Sequence, residues 1–172
     1  MSQLKVNSII PVAGVPTGGG GGIIQIKQST KTGTQSFSSQ GYTDTPTDIT
    51  DLSVSITPTS SSSKVFVIVE IGCFGSTGNA AMDFRIYRGS TNITVGGGSN
   101  DNRHAAVCFY NSNNTTMGVP ASMNVLDSPA TTSATTYKVT GFTNAGTMYI
   151  NRFPADTNWN SESRITVMEV SA

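Results

Sequence analysis

Charged side chains are scarce in this sequence. They make up 12% of the 172 residues, and ten Lys and Arg balance ten Asp and Glu, so the formal net charge is zero. Soluble domains usually carry about 25% charged residues. Ser, Thr, Asn and Gly stand where Lys and Glu are common, which predicts an uncharged, hydrogen-bonding surface. With no basic patch to hold a phosphate backbone, we expect no nucleic-acid partner.

Long hydrophobic runs are also missing. Nowhere do about 18 apolar residues follow one another, the length that a membrane-spanning helix requires. The N-terminus has no basic region followed by an apolar segment, the pattern of a cleaved secretion signal. We therefore expect neither secretion by a cleaved signal nor membrane insertion.

Cysteine and histidine are too few for most catalytic sites. The two cysteines, Cys73 and Cys108, both adjoin apolar runs and are expected to be buried free thiols, not a disulfide. His104 is the single histidine, so a Cys-His or Ser-His-Asp site would have to use it. On a strand, Cys108 would lie about 13 Å from His104. The sequence predicts no catalytic residues and no enzymatic activity.

Metal and cofactor signatures are equally weak. Asp44, Asp48 and Asp51 could bind calcium, but they stand in a run of turn and cap residues. A calcium loop needs more oxygen ligands and a fixed glycine, and a zinc site needs more His or Cys. No Gly-Lys-Ser/Thr follows the five glycines Gly18–Gly22, so they form no phosphate-binding loop. We expect no metal and no cofactor.

The segment Lys64–Gly72 has the strongest structural pattern in the chain. It is short and rich in β-branched residues, and therefore predicts a strand ending at Gly72. Val65, Val67, Val69 and Ile71 would point to one face, and Phe66, Ile68 and Glu70 to the other. Because both faces are apolar, we expect a central strand covered on both sides, by a second sheet and by a neighbouring subunit.

The remaining sequence from residue 23 onward shows strand patterns separated by polar turns. No segment sustains a helical period, and about nine strands are expected. The fold class predicted is all-β: a two-sheet antiparallel β-sandwich, jelly-roll-like, over residues 23–172. Asn144-Ala145-Gly146 is expected to form a hairpin turn. Other predicted strands lie at Ile23–Gln28, Leu52–Thr57, Met82–Tyr87, Ala105–Tyr110, Ala121–Leu126, Thr136–Thr140, Met148–Phe153 and Arg164–Val170.

Residues 1–22 form a separate region that cannot build a core. Pro11 and Pro16 interrupt regular structure, and the glycine run follows. One interpretation is a disordered leader, and the other is a peptide that becomes ordered on another protein, with the glycines as a flexible tether. We favour an extended anchor peptide, since a solvated tail needs no large apolar side chains. The candidate anchoring residues are Leu4, Val6, Ile9, Ile10 and Val12.

Trp159 is the most distinctive aromatic residue because its neighbours in the segment Pro154–Ser161 are mostly polar. The polar composition of this segment predicts a loop. Trp159 is either a plug over the end of the sandwich or an exposed stacking platform, and Tyr110 beside Asn111 is a weaker case. Aromatic rings beside amides and carboxylates commonly bind sugars. The candidate host or glycan contacts are Trp159, Asn158, Asn160 and Tyr110.

The N-terminal block Leu4–Pro16 (LKVNSIIPVAGVP), followed by glycines and Ile23-Ile24-Gln25, resembles the start of many tail-fibre-like structural proteins of marine and cyanobacterial phages. Less specific similarities are Ser55–Pro58 with Ser63–Val65, and the ending Ile165–Val170. The resemblance implies a virion protein whose N-terminus inserts into the particle and whose C-terminal β-domain trimerises and projects outward. No host-contacting residue belongs to a shared motif, so none is carried over.

The sequence therefore favours a non-enzymatic phage virion structural protein, assembled in the host cytoplasm. We expect a short homotrimeric fibre or spike, attached to a tail, baseplate or capsid protein through residues 4–16 and contributing to host-surface adhesion, with a surface glycan as a candidate receptor. One alternative is a capsid decoration (cement) protein, and another is a free carbohydrate-binding module, which would have no use for an apolar anchor. A glycan hydrolase ranks last.

Overall fold

The computed structural model describes residues 22–41, 45–76, 79–94, 105–112 and 117–171. Within these ranges the regular elements are all β-strands, and none is a helix that could cross a membrane. The anchor candidates Leu4 to Val12, together with His104 and Asp44, lie outside the described residues. The thirteen strands are β1 (Ile23–Lys31), β2 (Gln35–Ser38), β3 (Thr47–Ile56), β4 (Lys64–Ser76), β5 (Ala80–Arg88), β6 (Thr91–Asn92), β7 (Val107–Asn111), β8 (Val119–Asp127), β9 (Thr135–Thr143), β10 (Thr147–Ile150), β11 (Arg152–Phe153), β12 (Asp156–Asn160) and β13 (Ser163–Val170).

Eleven of these strands form two antiparallel sheets, one of six strands and one of five. Four strands of the first sheet follow the order β1-β13-β4-β8, and β10 and β2 continue this sheet from the end of β4. Four strands of the second sheet follow the order β3-β9-β5-β7, and the short β6 also pairs with β5. The chain enters the first sheet with β1 and repeatedly crosses between sheets before closing with β13 beside β1. These two sets of four strands, joined in this way, make a jelly roll. The predicted fold class is therefore confirmed.

The predicted central strand, β4, does lie in the middle of the first sheet. Strand β13 pairs with it along Lys64–Glu70 and β8 pairs along its other edge. Val65, Val67 and Val69 are completely buried against the second sheet, as expected from the alternation. The strand does not end at Gly72 but continues to Ser76, where it pairs with β10. A Cβ at Gly72 would lie 2.2 Å from the carbonyl oxygen of Glu162, so glycine permits an irregularity within the strand.

Aromatic contacts and hydrogen bonds both link the two sheets. The ring of Phe74 meets Phe84 edge to face, with centroids 4.7 Å apart. At one end, the buried Tyr137 of the second sheet donates a 2.7 Å hydrogen bond to Asp127 of the first, which also accepts from Arg88. Burial and the bond to Asp127 raise the pKa of Tyr137 well above its usual value. The two sheets are thus joined by hydrogen bonds as well as by packing.

Several local expectations are wrong, each for a tertiary reason. Asn144–Gly146 makes no hairpin, because β9 belongs to the second sheet and β10 to the first, so this turn carries the chain across the sandwich. Strands β2 and β12 stand where polar loops were expected, since pairing with β10 and β11 supplies their backbone partners.

The two cysteines are free, as predicted, but they are not both buried. Cys73 is half-buried and Cys108 is exposed. Strand β7 directs Val107 and Phe109 towards the core, so the residue between them faces outward. The apolar neighbours that suggested burial of Cys108 belong to the opposite face of its strand.

Of the cover expected on both faces of β4, the single chain supplies one face through the second sheet, and cover of the other face by a neighbouring subunit stays a prediction. Phe66 and Ile68 are half-buried on the outer face, and Glu70 is exposed. The described residues of one chain bury one face of the first sheet and leave the other partly open.

Candidate functional site: the Trp159 hairpin

Trp159 lies on a small β-hairpin, β11–β12, that leaves the first sheet at the start of β13. The hairpin is attached through Asn151, which is fully buried and has a positive φ of 60° that asparagine tolerates better than most residues. The backbone N–H of Asn151 donates to the backbone carbonyl of Cys73 at 2.8 Å. The backbone carbonyl of Asn151 accepts a hydrogen bond from the Ser161 N–H at 3.0 Å. These two bonds close the base of the hairpin and fix it to β4.

The Asn151 side chain extends this attachment to two further strands. Its amide nitrogen donates to the carbonyl of Lys31, at the end of β1, at 2.8 Å. Its carbonyl oxygen accepts a hydrogen bond from the Ser163 hydroxyl, at the start of β13. Through its side chain and its backbone together, this one buried asparagine ties the hairpin to β1, β4 and β13. A satisfied buried network of this kind gives the hairpin a fixed position.

The register of the hairpin explains why its polar side chains project. Arg152 pairs with Asn160, but the next residue, Phe153, pairs with Asp156, so residues 157–159 form an extended bulge. Bulges redirect side chains away from the sheet. The Asn158 N–H donates to the Asp156 carboxylate at 2.8 Å, which holds the bulge in shape. Thr157, Asn158 and Trp159 are all exposed as a result.

Trp159 is exposed over 72% of its surface, the largest exposed fraction among the large hydrophobic residues described. The plug alternative is thereby excluded, because a plug would be buried. With Phe153 and Asp156 it lines a small cleft of about 240 Å³. An indole face, a second ring and a carboxylate that accepts hydrogen bonds are the groups that bind a sugar ring and its hydroxyls.

The other two residues of the predicted contact in this segment have different surroundings. Asn158 is exposed on the bulge beside Trp159. Asn160 is exposed too, but its amide nitrogen donates to the carbonyl of Thr157 at 3.3 Å, so it helps to hold the bulge. Whether any of these residues contacts a host stays a prediction.

Tyr110 lies on a different element and outside the cleft. It is 63% exposed on β7 of the second sheet. Its neighbour Asn111 donates to the carbonyl of Ser76 at 3.3 Å, and the adjacent Gly75 lies against Pro154 of the hairpin. Tyr110 and Trp159 therefore occupy the same end of the sandwich without forming one cleft.

The underside of the hairpin is packed tightly against the first sheet. A Cβ at Gly118 would lie 2.7 Å from the Phe153 ring, so the ring rests on bare backbone. The Arg152 guanidinium lies 4.3 Å from the centroid of the Tyr149 ring and donates to the Pro154 carbonyl. The half-buried Cys73 thiol lies below, and burial raises its pKa, which disfavours the reactive thiolate. The hairpin therefore presents groups for stacking and hydrogen bonding, and Cys73 beneath it is not an activated nucleophile.

Sequence reasoning missed Phe153, Asp156 and Asn151 as parts of this site. Phe153 and Asp156 stand close to Trp159 in sequence, so the cleft could have been suggested by proximity. Asn151 interrupts the apolar run Met148–Phe153, and a polar residue in such a run is a recognisable signal. In the part of the chain that the structure describes, no three His, Cys, Asp or Glu residues converge as a metal site would require.

No family model and no curated protein matches the chain. Solved structures with a similar arrangement include the infectious bursal disease virus Gx strain (13% identity, TM-score 0.38, 86% of this chain and 40% of that chain). A mutant VP2 protein of that virus in derived T=1 particles gives 15% identity and a TM-score of 0.40, over 84% of this chain and 36% of that chain. The Gt strain of the same virus gives 13% identity and a TM-score of 0.37, over 85% of this chain and 37% of that chain. This chain spans less than half of the length of each.

Proposed function

We propose that this chain is a non-enzymatic structural protein of a phage virion, a short trimeric fibre or spike that contributes to host-surface adhesion. Residues 4–16 attach it to a tail, baseplate or capsid protein, and the Trp159 hairpin contacts the host, with a surface glycan as the proposed ligand class. The sequence supports this through the resemblance of its N-terminal block and through its low charge.

The observation that carries the proposal is the position of two features at opposite ends of the folded domain. Gly22, where the N-terminal region ends, is hydrogen-bonded to Ser171 beside the first residue of β1. The hairpin is bonded to Lys31, the last residue of the same strand. Nine residues of strand span about 30 Å, so the two features lie at opposite ends of the sandwich. An attached end opposite an exposed aromatic platform is the arrangement that an adhesion protein needs.

The first test compares Trp159→Ala with Met117→Ala, a matched control at another exposed apolar residue. Trp159→Ala should leave the melting temperature nearly unchanged, because the side chain is mostly in water. It should weaken binding to host cells by about 2 kcal/mol or more, roughly thirtyfold, as central aromatic anchors do. Met117→Ala should bind normally. Unchanged binding by Trp159→Ala would refute the assigned contact.

The second test removes residues 1–20. This change deletes none of the described strands, so the melting temperature should stay within a few degrees while incorporation into particles is lost. Normal copy number of the shortened chain in particles would refute the anchor. Locating the full chain on purified particles then separates a tail fibre or spike from a capsid decoration protein, and its absence from particles would favour a free carbohydrate-binding module.

A further inference from the structure

The outer face of the first sheet carries a continuous apolar row across four strands. In the strand register, Met168 of β13 lies opposite Ile26 of β1 on one side and Phe66 of β4 on the other. Phe66 in turn lies opposite Leu126 of β8. Side chains directly opposite each other on one face are neighbours. The four residues therefore form one stripe perpendicular to the strands, which we call the outer stripe.

The outer stripe is open to solvent in the single chain. Ile26 is 55% exposed and Leu126 is 52% exposed, while Phe66 and Met168 are half-buried between them. Ile23, at the corner of the same sheet, is 58% exposed. Three of the six exposed large hydrophobic residues described thus belong to one sheet. Isolated exposed apolar residues are normal, but a contiguous row marks an interaction surface.

We infer that the outer stripe is the surface through which copies of this chain associate, so that its occupant is a second copy. The inference deepens the proposed function, since it rests on the oligomer proposed there and assigns the interface. It also accounts for a two-sided apolar strand in a chain whose described residues cover only one side of it.

The dimensions of the face suit a copy–copy interface. Four strands about 4.8 Å apart and eight residues of about 3.3 Å each give roughly 19 by 26 Å, on the order of 500 Å² in projection. A standard interface buries about 800 Å² of accessible surface per partner. A corrugated face of side chains has more accessible area than its projection, so the sheet alone approaches that value.

The charges around the stripe suit a copy of the same chain. Lys64 and Glu70 lie at opposite ends of the outer face of β4, and Arg164 lies 3.8 Å from Glu70. Both signs are therefore present at the rim and charges are absent from the stripe itself. A face of one sign would repel its own copy, whereas a mixed rim around an apolar centre is self-complementary. Gly22 lies at one corner of this sheet, so association also gathers the N-terminal segments of the copies.

The test measures the mass of the purified full-length chain by light scattering and sedimentation. We expect a multiple of 17.9 kDa for the wild type. Leu126→Lys and Ile26→Lys replace side chains that are already half in water, so each monomer should fold, as circular dichroism can verify. Burying an unpaired ammonium in the interface should raise the dissociation constant by roughly 100-fold or more. The matched control is Tyr110→Lys, an exposed aromatic on the second sheet, which should keep the wild-type mass.

Three results of the mass measurement would overturn the inference. They are a wild-type monomer at tens of micromolar, an oligomer that survives both lysine variants, and dissociation by Tyr110→Lys as well. If a monomeric Leu126→Cys variant is protected from maleimide, the chain itself covers the stripe and the inference is again wrong. Because the purified chain is used, these outcomes do not depend on its place in a virion. Absence of the chain from particles would refute the proposed function and leave the interface standing.

Discussion

Glu169 is a buried carboxylate whose removal should weaken the fold in a pH-dependent manner. It is completely buried near the end of β13, where its oxygens accept from the Gln25 amide at 2.6 Å and from both the N–H and the hydroxyl of Thr59 at 2.7 Å. Burial of the carboxyl raises its pKa, but these hydrogen bonds outweigh that effect and lower the pKa overall. The charged form is therefore the one that stabilises the fold.

The substitution Glu169→Gln keeps the shape and removes the charge. One amide oxygen can still accept from Thr59, but the new amide nitrogen meets the donor of Gln25. Gln25 cannot simply rotate, because its nitrogen also donates to the Thr57 carbonyl at 2.7 Å. The substitution removes one hydrogen bond to a charged acceptor and places two N–H donors against each other. It should lower the free energy of unfolding by about 2–3 kcal/mol at pH 7. For a chain of this size that corresponds to a fall in melting temperature of about 5–10 °C.

The sign of the pH dependence follows from the lowered pKa. A carboxyl with a folded pKa below its unfolded value contributes full stability above the unfolded pKa and loses it as the pH falls through the folded pKa. The difference in the free energy of unfolding between wild type and Glu169→Gln should therefore shrink as the pH falls from 6 to about 3. Other titrating groups are common to both proteins and cancel in this difference.

Urea unfolding at several pH values measures this difference directly. Glu162→Gln serves as the control, since Glu162 is exposed and its ion pair with Arg164 is a surface pair worth about 0–1 kcal/mol. Glu169→Gln with wild-type stability at pH 7, or a deficit that stays constant down to pH 3, would show that the hydrogen bonds to Glu169 do not stabilise the fold.

Three further predictions concern other parts of the structure. In the native protein, maleimide should label Cys108 much faster than Cys73, whose thiol is half-buried with a raised pKa, and equal rates would contradict the assigned exposures. Val67→Asp should abolish folding, because an unpaired carboxylate in the core costs several kcal/mol, and soluble, cooperatively unfolding protein would show that β4 is not central. Asn151→Ala should lower the free energy of unfolding by about 2–4 kcal/mol, because the Ser163 hydroxyl and the Lys31 carbonyl lose this hydrogen-bond partner. Proteolysis within residues 152–160 should accelerate, while the core strands stay protected.

The sequence by itself determined the fold class and the central strand. Alternation with a period of two is a local property, so Leu52, Val54 and Ile56 could be assigned to the core, and they are buried. The same holds for Val65, Val67, Val69 and Ile71 in β4. The segment carrying Trp159 could also be singled out, because one tryptophan among polar residues is a local signal. The role of that residue still depends on binding experiments.

Only the tertiary structure decided how the strands pair and what their faces meet. Ile26 and Met168 are neighbours although 142 residues separate them, and no local pattern encodes that register. The same applies to Asn151, whose hydrogen bonds reach Lys31 and Cys73, and to the turn at Asn144–Gly146, which crosses between sheets. Local periodicity fixes which side of a strand is apolar. Whether that side meets the core, solvent or a second copy depends on long-range packing.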